Sequence, residues 1–299
     1  MRKDVYETVT ARIVADLEQG VRPWLKPWSV EHAAGRITRP LRANGIPYQG
    51  INVLMLWTAA LECDYAALFW MTFKQAIDLG AHVRKGEKGN LVVYADCIRR
   101  TETDSATGEE TETEIPFMKG YTVFNVEQIE GLPAHFYAAP PPRAEAPQRI
   151  ERAEAFFAAT GADVQHGGNR ACYVLSQDRI DLPPFEAFRD PESYYATRAH
   201  ETIHWTRHPS RLEREFGRKR WGDEGYAMEE LTAELGSAFL SADLDLAPEV
   251  RDDHAAYIDG WLTVLKRDKR AIFTAASYAQ RAADFLHGLQ QPAREEVAA

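Results

Sequence analysis

Two histidines four residues apart, with a glutamate directly after the first, could bind a metal ion. These residues are His200, Glu201 and His204, within the stretch RAHETIHWTRH. Side chains at positions i and i+4 of a helix lie on one face, so both imidazoles can bind the same ion. Glu201 would lie beside the pair, where its carboxylate can act as general base toward metal-activated water. The pattern predicts a metal-dependent hydrolytic site; the alternative interpretation is a polar patch on a surface helix.

A third ligand is expected from the next helical stretch, GYAMEELTAELGSAFLSA, which contains Glu229, Glu230 and Glu234. At helical spacing, Glu229 shares its face with small residues that would let another helix pack closely. Glu230 and Glu234 share theirs with serines, which is typical of a solvated face. We therefore predict Glu229 as the third ligand, with Glu230 or Glu234 as alternatives. Two histidines and a carboxylate leave a position open for water, as in catalytic zinc sites, and Tyr226 or Tyr278 could donate to an oxyanion.

The histidine pair requires a helix, and the flanking residues indicate where that helix lies. Asp190 followed by Pro191 is typical of an N-cap and a first helical position, and no helix breaker follows until Pro209. Tyr195 and Ile203 would face a hydrophobic core on the side away from the metal pair. These features predict a half-buried helix against a small sheet.

The overall composition is that of a globular protein, with 45% hydrophobic and 27% charged residues among 299. The longest apolar runs fall short of the roughly 18 residues of a transmembrane helix, and the polar start MRKDVYETVT is unlike a signal peptide. We therefore expect a cytoplasmic protein without a membrane partner. Cys63, Cys97 and Cys172 are widely spaced, which indicates neither a disulfide framework nor a thiolate metal site. A metal would accordingly be held by histidine and carboxylate.

The net charge of −10 is unevenly distributed along the chain. Residues 1–100 carry 14 Lys plus Arg against 10 Asp plus Glu, whereas residues 101–299 carry 21 against 35. The acidic stretch TETDSATGEETETE, residues 101–114, predicts a long hairpin loop; the alternative is an acidic mimic of nucleic acid. The basic balance of the first hundred residues is compatible with nucleic-acid binding.

A proline-rich segment divides the chain into two predicted domains. Four prolines among small and polar residues at 138–148 predict a linker between an N-terminal domain, 1–137, and a C-terminal domain, 149–299. Mixed helical and strand patterns on both sides predict an α+β fold class, with an α+β first domain and a mainly helical second domain that has a small sheet.

Aromatic and cationic residues alternate in the first domain, as in GVRPWLKPWS. Single-stranded nucleic acid needs aromatic rings for its bases and positive charges for its phosphates. The alternative interpretation is that the tryptophans belong to the core, which we favour for Trp57 and Trp70, and that the basic turn RKGEKG is an ordinary exposed hairpin. The predicted DNA-binding residues are Trp24, Lys26, Trp28, Arg39, Arg42, Asn44, Tyr48, Lys74, Arg84, Lys85 and Lys88.

Several stretches in the same order resemble the ArdC-type antirestriction proteins, which are related to the TraC-like primases of conjugative plasmids. The first domain is similar in PWLKPW, PYQGINVLMLW, WMTFKQAIDLGAHVRKGEKG and FNVEQIEGLP. The second is similar in RAHETIHWT, YAMEELTAELGSAFL and DKRAIFTAASYAQRAADFL. The resemblance covers nearly the whole chain.

The resemblance implies a single-stranded-DNA-binding domain joined to a zincin-like metallopeptidase domain, carried by a mobile element and protecting incoming DNA from host restriction. It implies His200, His204 and an acidic residue of MEELTAE as ligands of Zn²⁺, or of another divalent ion such as Mn²⁺, with Glu201 as base. A protein of the host restriction system would be the substrate. The alternatives are a protective DNA-binding module whose peptidase domain is regulatory or inactive, and a DNA mimic that inhibits a restriction enzyme.

Overall fold

The computed structural model confirms the α+β fold class, because it contains eight α-helices and three small sheets within the described residues. It describes residues 4–22, 24, 38–103, 110–138, 146–217, 222–246 and 254–290. The helices are α1 (Val5–Glu18), α2 (Ile51–Cys63), α3 (Phe73–Asp78), α4 (Ala146–Ala159), α5 (Pro191–Trp205), α6 (Glu224–Leu244), α7 (His254–Arg267) and α8 (Ala271–Gly288). The strands are β1 (Leu41–Arg42), β2 (Phe69–Thr72), β3 (His82–Val83), β4 (Asn90–Thr103), β5 (Glu110–Asn125), β6 (Ile129–Glu130), β7 (Asp163–His166), β8 (Cys172–Val174) and β9 (Arg179–Leu182).

The chain forms two compact units that do not follow the predicted boundary. A helical unit comprises Met1–Pro40, Pro47–Ala66 and Ala139–Ala299, and a sheet unit comprises Leu41–Ile46 and Ala67–Ala138. The first two helices, expected in the first domain, therefore belong with the C-terminal part of the chain: α1 packs on α7 and α2 packs on α8.

Buried side chains explain why the first two helices join the C-terminal part. The inner face of α1 buries Val9, Ile13 and Leu17. On α2, the ring of Trp57 lies 6.0 Å from that of Phe239 in α6. Burying this apolar surface stabilises the helical unit, and contacts between residues so distant in sequence leave no local signal.

The sheet unit is built on a four-stranded sheet with the order β1-β2-β5-β4. Strand β4 pairs antiparallel with β5 along its whole length, from Asn90↔Val123 to Thr103↔Glu110. Much of the loop predicted for 101–114 is therefore paired strand, consistent with the β propensity of its alternating threonines. The core of this unit contains Met71, Ala76, Ala81, Val126, Ile129, Leu132 and Phe136.

In the helical unit, α5 packs against α6 and against strands β8 and β9 of the small sheet β7-β9-β8. As predicted, α5 begins after Asp190, whose carboxylate accepts a hydrogen bond from Ser193 N at 2.7 Å, with proline at its first position. The two helices approach closely at Gly236, where a Cβ atom would lie 2.8 Å from Cδ1 of Ile203. Within the described residues, no helix is long and apolar enough to cross a membrane.

Candidate metal centre

The two histidines of α5 point their Nε2 atoms toward each other. These atoms are 3.1 Å apart, and the rings meet edge-on at 78° with centroids 4.8 Å apart. Both side chains are buried. The helical spacing of His200 and His204 has thus produced the convergence of two nitrogen donors that the sequence predicted.

Glu230 of α6 supplies the third converging group. Its Oε2 lies 3.5 Å from Nε2 of His200, and its Oε1 lies 3.7 Å from Nε2 of His204. Donors bound at about 2.1 Å to a tetrahedral ion would be roughly 3.4 Å apart, so these separations fit a divalent metal. Among the described residues, this trio is the cluster of three or more histidine, cysteine or acidic side chains whose donor atoms all lie within 4.8 Å.

Glu229, the predicted third ligand, lies behind His204 instead of in front of it. Its Oε1 is 2.9 Å from Nδ1 of His204, on the opposite side of the ring from the converging Nε2. Arg214 donates to both of its oxygens, from Nε to Oε2 at 2.8 Å and from Nη2 to Oε1 at 2.7 Å. This geometry corrects the prediction: one helical step of about 100° separates Glu229 from Glu230, and only Glu230 faces the two Nε2 atoms.

The contact with Glu229 fixes which tautomer the neutral His204 ring adopts. A carboxylate only accepts hydrogen bonds, so Nδ1 of His204 must donate, which leaves the lone pair of Nε2 for a metal. Burial disfavours the charged imidazole, but the charge of Glu230 and the bond to Glu229 outweigh burial and raise the pKa of His204 to about 10. A proton on this ring would therefore compete with a bound cation.

The remaining carboxylates near the histidines differ in their surroundings. Burial opposes ionisation of Glu229, yet its bonds to Arg214 and His204 lower its pKa to about 2. Glu230 is also buried, and the adjacent His204 holds its pKa far below the usual range. Glu201, the predicted base, is buried on α5 directly after His200. The centre thus presents ionised carboxylates in a buried environment that a divalent cation would neutralise.

Tyr226 lies one helical turn before Glu230 and is a candidate hydroxyl donor at this centre. Its hydroxyl is 3.2 Å from that of Tyr257 in α7. Burial and the charge of Glu230 raise the pKa of the Tyr226 phenol, so it stays protonated and able to donate. Tyr278, the other predicted donor, packs edge-on against Phe216.

Comparison with known proteins agrees with this architecture. Residues 151–278 match the family model of the zincin-like metallopeptidase, and residues 3–124 match that of the N-terminal domain of anti-restriction factor ArdC. The metal-free crystal structure of the antirestriction ArdC protein from plasmid R388 is 47% identical, with a TM-score of 0.80, over 96% of this chain and 98% of that chain. This chain belongs to the ArdC family of antirestriction proteins.

The other similar proteins differ in how much of their own length this chain covers. The Mn(II)-bound R388 ArdC structure is 44% identical, with a TM-score of 0.80, and covers 98% of this chain and 100% of that one. "Uncharacterized protein y4eC" of Sinorhizobium fredii (strain NBRC 101917 / NGR234) is 44% identical over 98% of this chain and 95% of its own length. An Escherichia coli "DNA primase TraC" is 38% identical over 99% of this chain but only 28% of its own length. The ArdC-type organisation therefore also forms part of a much longer protein.

In this ArdC-family chain, three of the predicted DNA-binding residues are buried in the helical unit. Trp24 is 0% exposed, and Tyr48 is also buried. Arg39 uses its Nε and Nη2 atoms to bind the carboxylate of Asp243 at 2.9 and 2.8 Å. These tertiary contacts correct the prediction, because a side chain already packed and paired offers no ring or charge to a nucleic acid.

The exposed members of the predicted set are Arg42, Asn44, Lys74, Arg84, Lys85 and Lys88, all in the sheet unit. Arg84 is ion-paired with Glu87 at 2.7 Å, and Asn44 accepts a bond from Ile46 N. Lys26 and Trp28 lie outside the described residues. The predicted cations that stay exposed therefore all belong to the sheet unit.

Two exposed aromatics on the β4–β5 ribbon were missed by the sequence analysis. Tyr94 is 50% exposed and Tyr121 is 44% exposed. Tyr94 pairs with Lys119 in the register, and Lys119 lies two residues before Tyr121, so the three share a face. The alternation of Phe117, Lys119 and Tyr121 at every second position was the available signal.

Proposed function

We propose that this chain is an antirestriction protein of a conjugative plasmid or related mobile element that combines a metallopeptidase centre with single-stranded-DNA binding. The observation that carries the peptidase proposal is the convergence of His200, His204 and Glu230. Glu201 is buried on α5, the helix of the two histidines. The ligand set is two nitrogens and one carboxylate, which suits Zn²⁺ and accepts Mn²⁺. That an Mn(II)-bound structure exists for R388 ArdC supports a divalent ion.

The proposed reaction is hydrolysis of a peptide bond in a protein of the host restriction system. A bound divalent ion would supply Lewis-acid activation of water and of the scissile carbonyl. Glu201 takes the proton of the attacking water and passes it to the departing amine. Tyr226 keeps its proton at neutral pH and donates to the oxygen that becomes negative in the transition state.

A pair of glutamate substitutions on α5 tests the general-base assignment. Glu201→Gln should retain metal and lose cleavage of an internally quenched peptide library by at least about 10²-fold, since general-base catalysis contributes about 10²–10⁴-fold. Glu192→Gln, in the first turn of the same helix, is the matched control and should cleave like wild type. Cleavage retained by the Glu201 variant would exclude this residue as the base.

DNA binding is proposed for the sheet unit, on the exposed cations and on the ribbon face with Tyr94, Lys119 and Tyr121. Aromatic rings and cations on one face suit stacking of bases and pairing of phosphates. The names of the TraC relatives, DNA primases, are consistent with a DNA-processing context. Fluorescence anisotropy with a labelled single-stranded oligonucleotide should show affinity that falls as salt rises.

Substitution on the ribbon tests where the strand binds. Tyr94→Ala and Tyr121→Ala should each weaken binding, at about 1–3 kcal/mol per lost stack. Tyr137→Ala, which removes an exposed tyrosine elsewhere in the sheet unit, is the control. Equal loss in all three variants would place the strand away from the ribbon.

A transfer assay separates the enzyme from the alternatives. Unmodified plasmid is introduced into a restricting host that expresses wild type or Glu201→Gln. Protection lost in the variant supports proteolysis as the antirestriction step. Protection retained would favour the DNA-binding module with a regulatory peptidase domain, and protection without any DNA binding would favour the DNA mimic.

A further inference from the structure

A short segment before α2, containing Arg22 and Trp24, lies against α6, the helix that carries Glu230. The indole Nε1 of Trp24 donates to Oε1 of Glu234 at 3.3 Å, and the Trp24 ring contacts that of Trp261 edge-on, with centroids 6.2 Å apart. Trp24 and Glu234 are both buried. This contact joins residues 210 positions apart in the sequence, so it is made by tertiary packing alone.

Arg22 reaches the same carboxylate. Its Nη1 lies 3.7 Å from Oε1 of Glu234, and its side chain is 11% exposed. Within the described residues, this buried Nη1 atom has no hydrogen-bond partner. The position of a buried cation beside a buried carboxylate is set by their charges, because an unpaired charge in the interior is costly.

The other oxygen of Glu234 faces the metal centre. Its Oε2 lies 3.9 Å from Nδ1 of His200, an atom that is buried and has no hydrogen-bond partner among the described residues. Metal-binding histidines almost always donate their second ring N–H to an oxygen that fixes the ring. His204 has such a partner in Glu229, and the carboxylate in the corresponding place for His200 is Glu234.

We propose that Arg22 and Trp24 are positioning residues of the metal centre, which hold Glu234 behind His200 so that this ring presents Nε2 to the ion. The inference rests on the proposed metal site and adds to it a contribution from the N-terminal part of the chain. The two histidines would then be supported from different sources, His204 by Glu229 and Arg214, and His200 by Glu234 and the N-terminal segment. The zincin-like part of the sequence does not complete its own metal centre.

The test measures Mn²⁺ affinity of the full-length chain by electron paramagnetic resonance and Zn²⁺ affinity by competition with a chelator. Glu234→Gln should weaken binding by about 10-fold or more, as expected on loss of a histidine's supporting partner. Trp24→Phe removes the indole N–H together with the pyrrole part of the ring, and loss of the hydrogen bond should weaken binding about fivefold. Trp57→Phe is the matched control, because its equally buried indole donates to the carbonyl of Thr38 at 2.8 Å, and its affinity should equal that of wild type.

Arginine variants provide a rescue. Arg22→Met should weaken metal binding, and Arg22→Lys, which keeps the charge, should restore it partly. Urea unfolding in the presence of a chelator measures folding stability separately from metal binding. A merely structural effect would lower stability without making the metal affinity of Trp24→Phe differ from that of Trp57→Phe. If Trp24→Phe does not fold, the comparison of Arg22→Met with Arg22→Lys decides, because Arg22 is less buried than Trp24.

The outcomes distinguish the two proposals. A wild-type chain that binds neither Mn²⁺ nor Zn²⁺ would overturn the proposed metal site itself. Wild-type binding that is unchanged in Glu234→Gln, Trp24→Phe and Arg22→Met would leave the metal site in place and overturn the positioning role.

Discussion

Replacing the buried Arg214 by methionine should be among the most destabilising single changes in the helical unit. Its guanidinium binds both oxygens of Glu229, and it also donates to Oγ1 of Thr206 and to the carbonyl of Ile203, both at 2.9 Å. Its side chain is 0% exposed. Arg214→Met therefore leaves a carboxylate in the interior without its main partner.

The expected loss is about 3–5 kcal/mol, the usual cost of breaking a buried ion pair on one side. Because domains are stable by only about 5–15 kcal/mol, this is a large fraction of the total. Adding Glu229→Gln to Arg214→Met removes the unpaired charge, so the double variant should be more stable than Arg214→Met alone. Arg12→Met, which breaks a partly exposed pair with Glu62, is the control and should cost at most about 1 kcal/mol.

Urea unfolding in the presence of a chelator, followed by circular dichroism, measures these free energies without a contribution from metal binding. A loss below about 1 kcal/mol for Arg214→Met, or a double variant less stable than the single one, would refute the reasoning from the buried pair.

The close approach at Gly236, the charge of Glu229 and the packing of α1 and α2 each have a measurable consequence. Gly236→Ala should lower the free energy of unfolding by about 1–3 kcal/mol, despite its better helix propensity, because the new methyl group overlaps Ile203; unchanged stability in urea would contradict this. The pKa of Glu229 falls on folding from 4.5 to about 2, so its stabilisation of about 3 kcal/mol is present above pH 4.5 and is lost as pH falls through about 2. Unfolding of the metal-free chain should therefore depend more steeply on pH than that of Glu229→Gln, and parallel curves would argue against it. A fragment of residues 149–299 should unfold at a lower temperature than the full chain, as measured by calorimetry, since it lacks α1 and α2; equal melting temperatures would contradict this.

The convergence of His200 and His204 could be predicted from sequence because their geometry is local. Asp190 and the proline after it set the start of α5, and four residues of helical rise bring His200 and His204 together. Which glutamate joins the two histidines depends on which face of α6 turns toward α5. Arg214 decides that question by covering Glu229, and it lies in an irregular segment whose path is not encoded in any periodic pattern.

Three residues of the predicted DNA-binding set, Trp24, Arg39 and Tyr48, are buried for a different physical reason. An aromatic or cationic side chain has the same composition signal whether it is packed or exposed. Trp24 and Arg39 are buried by partners more than two hundred residues away, in α6 and α8, and a single sequence does not show such pairs. The ribbon face of Tyr94 and Tyr121 is encoded by the strand alternation of Phe117, Lys119 and Tyr121.

The close approach at Gly236 and the position of the Glu230 carboxylate fix the rotation of α6 about its own axis at two points along its length. Deleting or inserting one residue between them would turn one point away from α5 by about 100° while the other stays in place. Such a helix could keep its packing or its ligand, but not both. We therefore expect related chains with this centre to vary in the identity of the residues between Glu230 and Gly236 but not in their number. A conserved number of residues between these two positions would then identify chains with this centre from sequence alone.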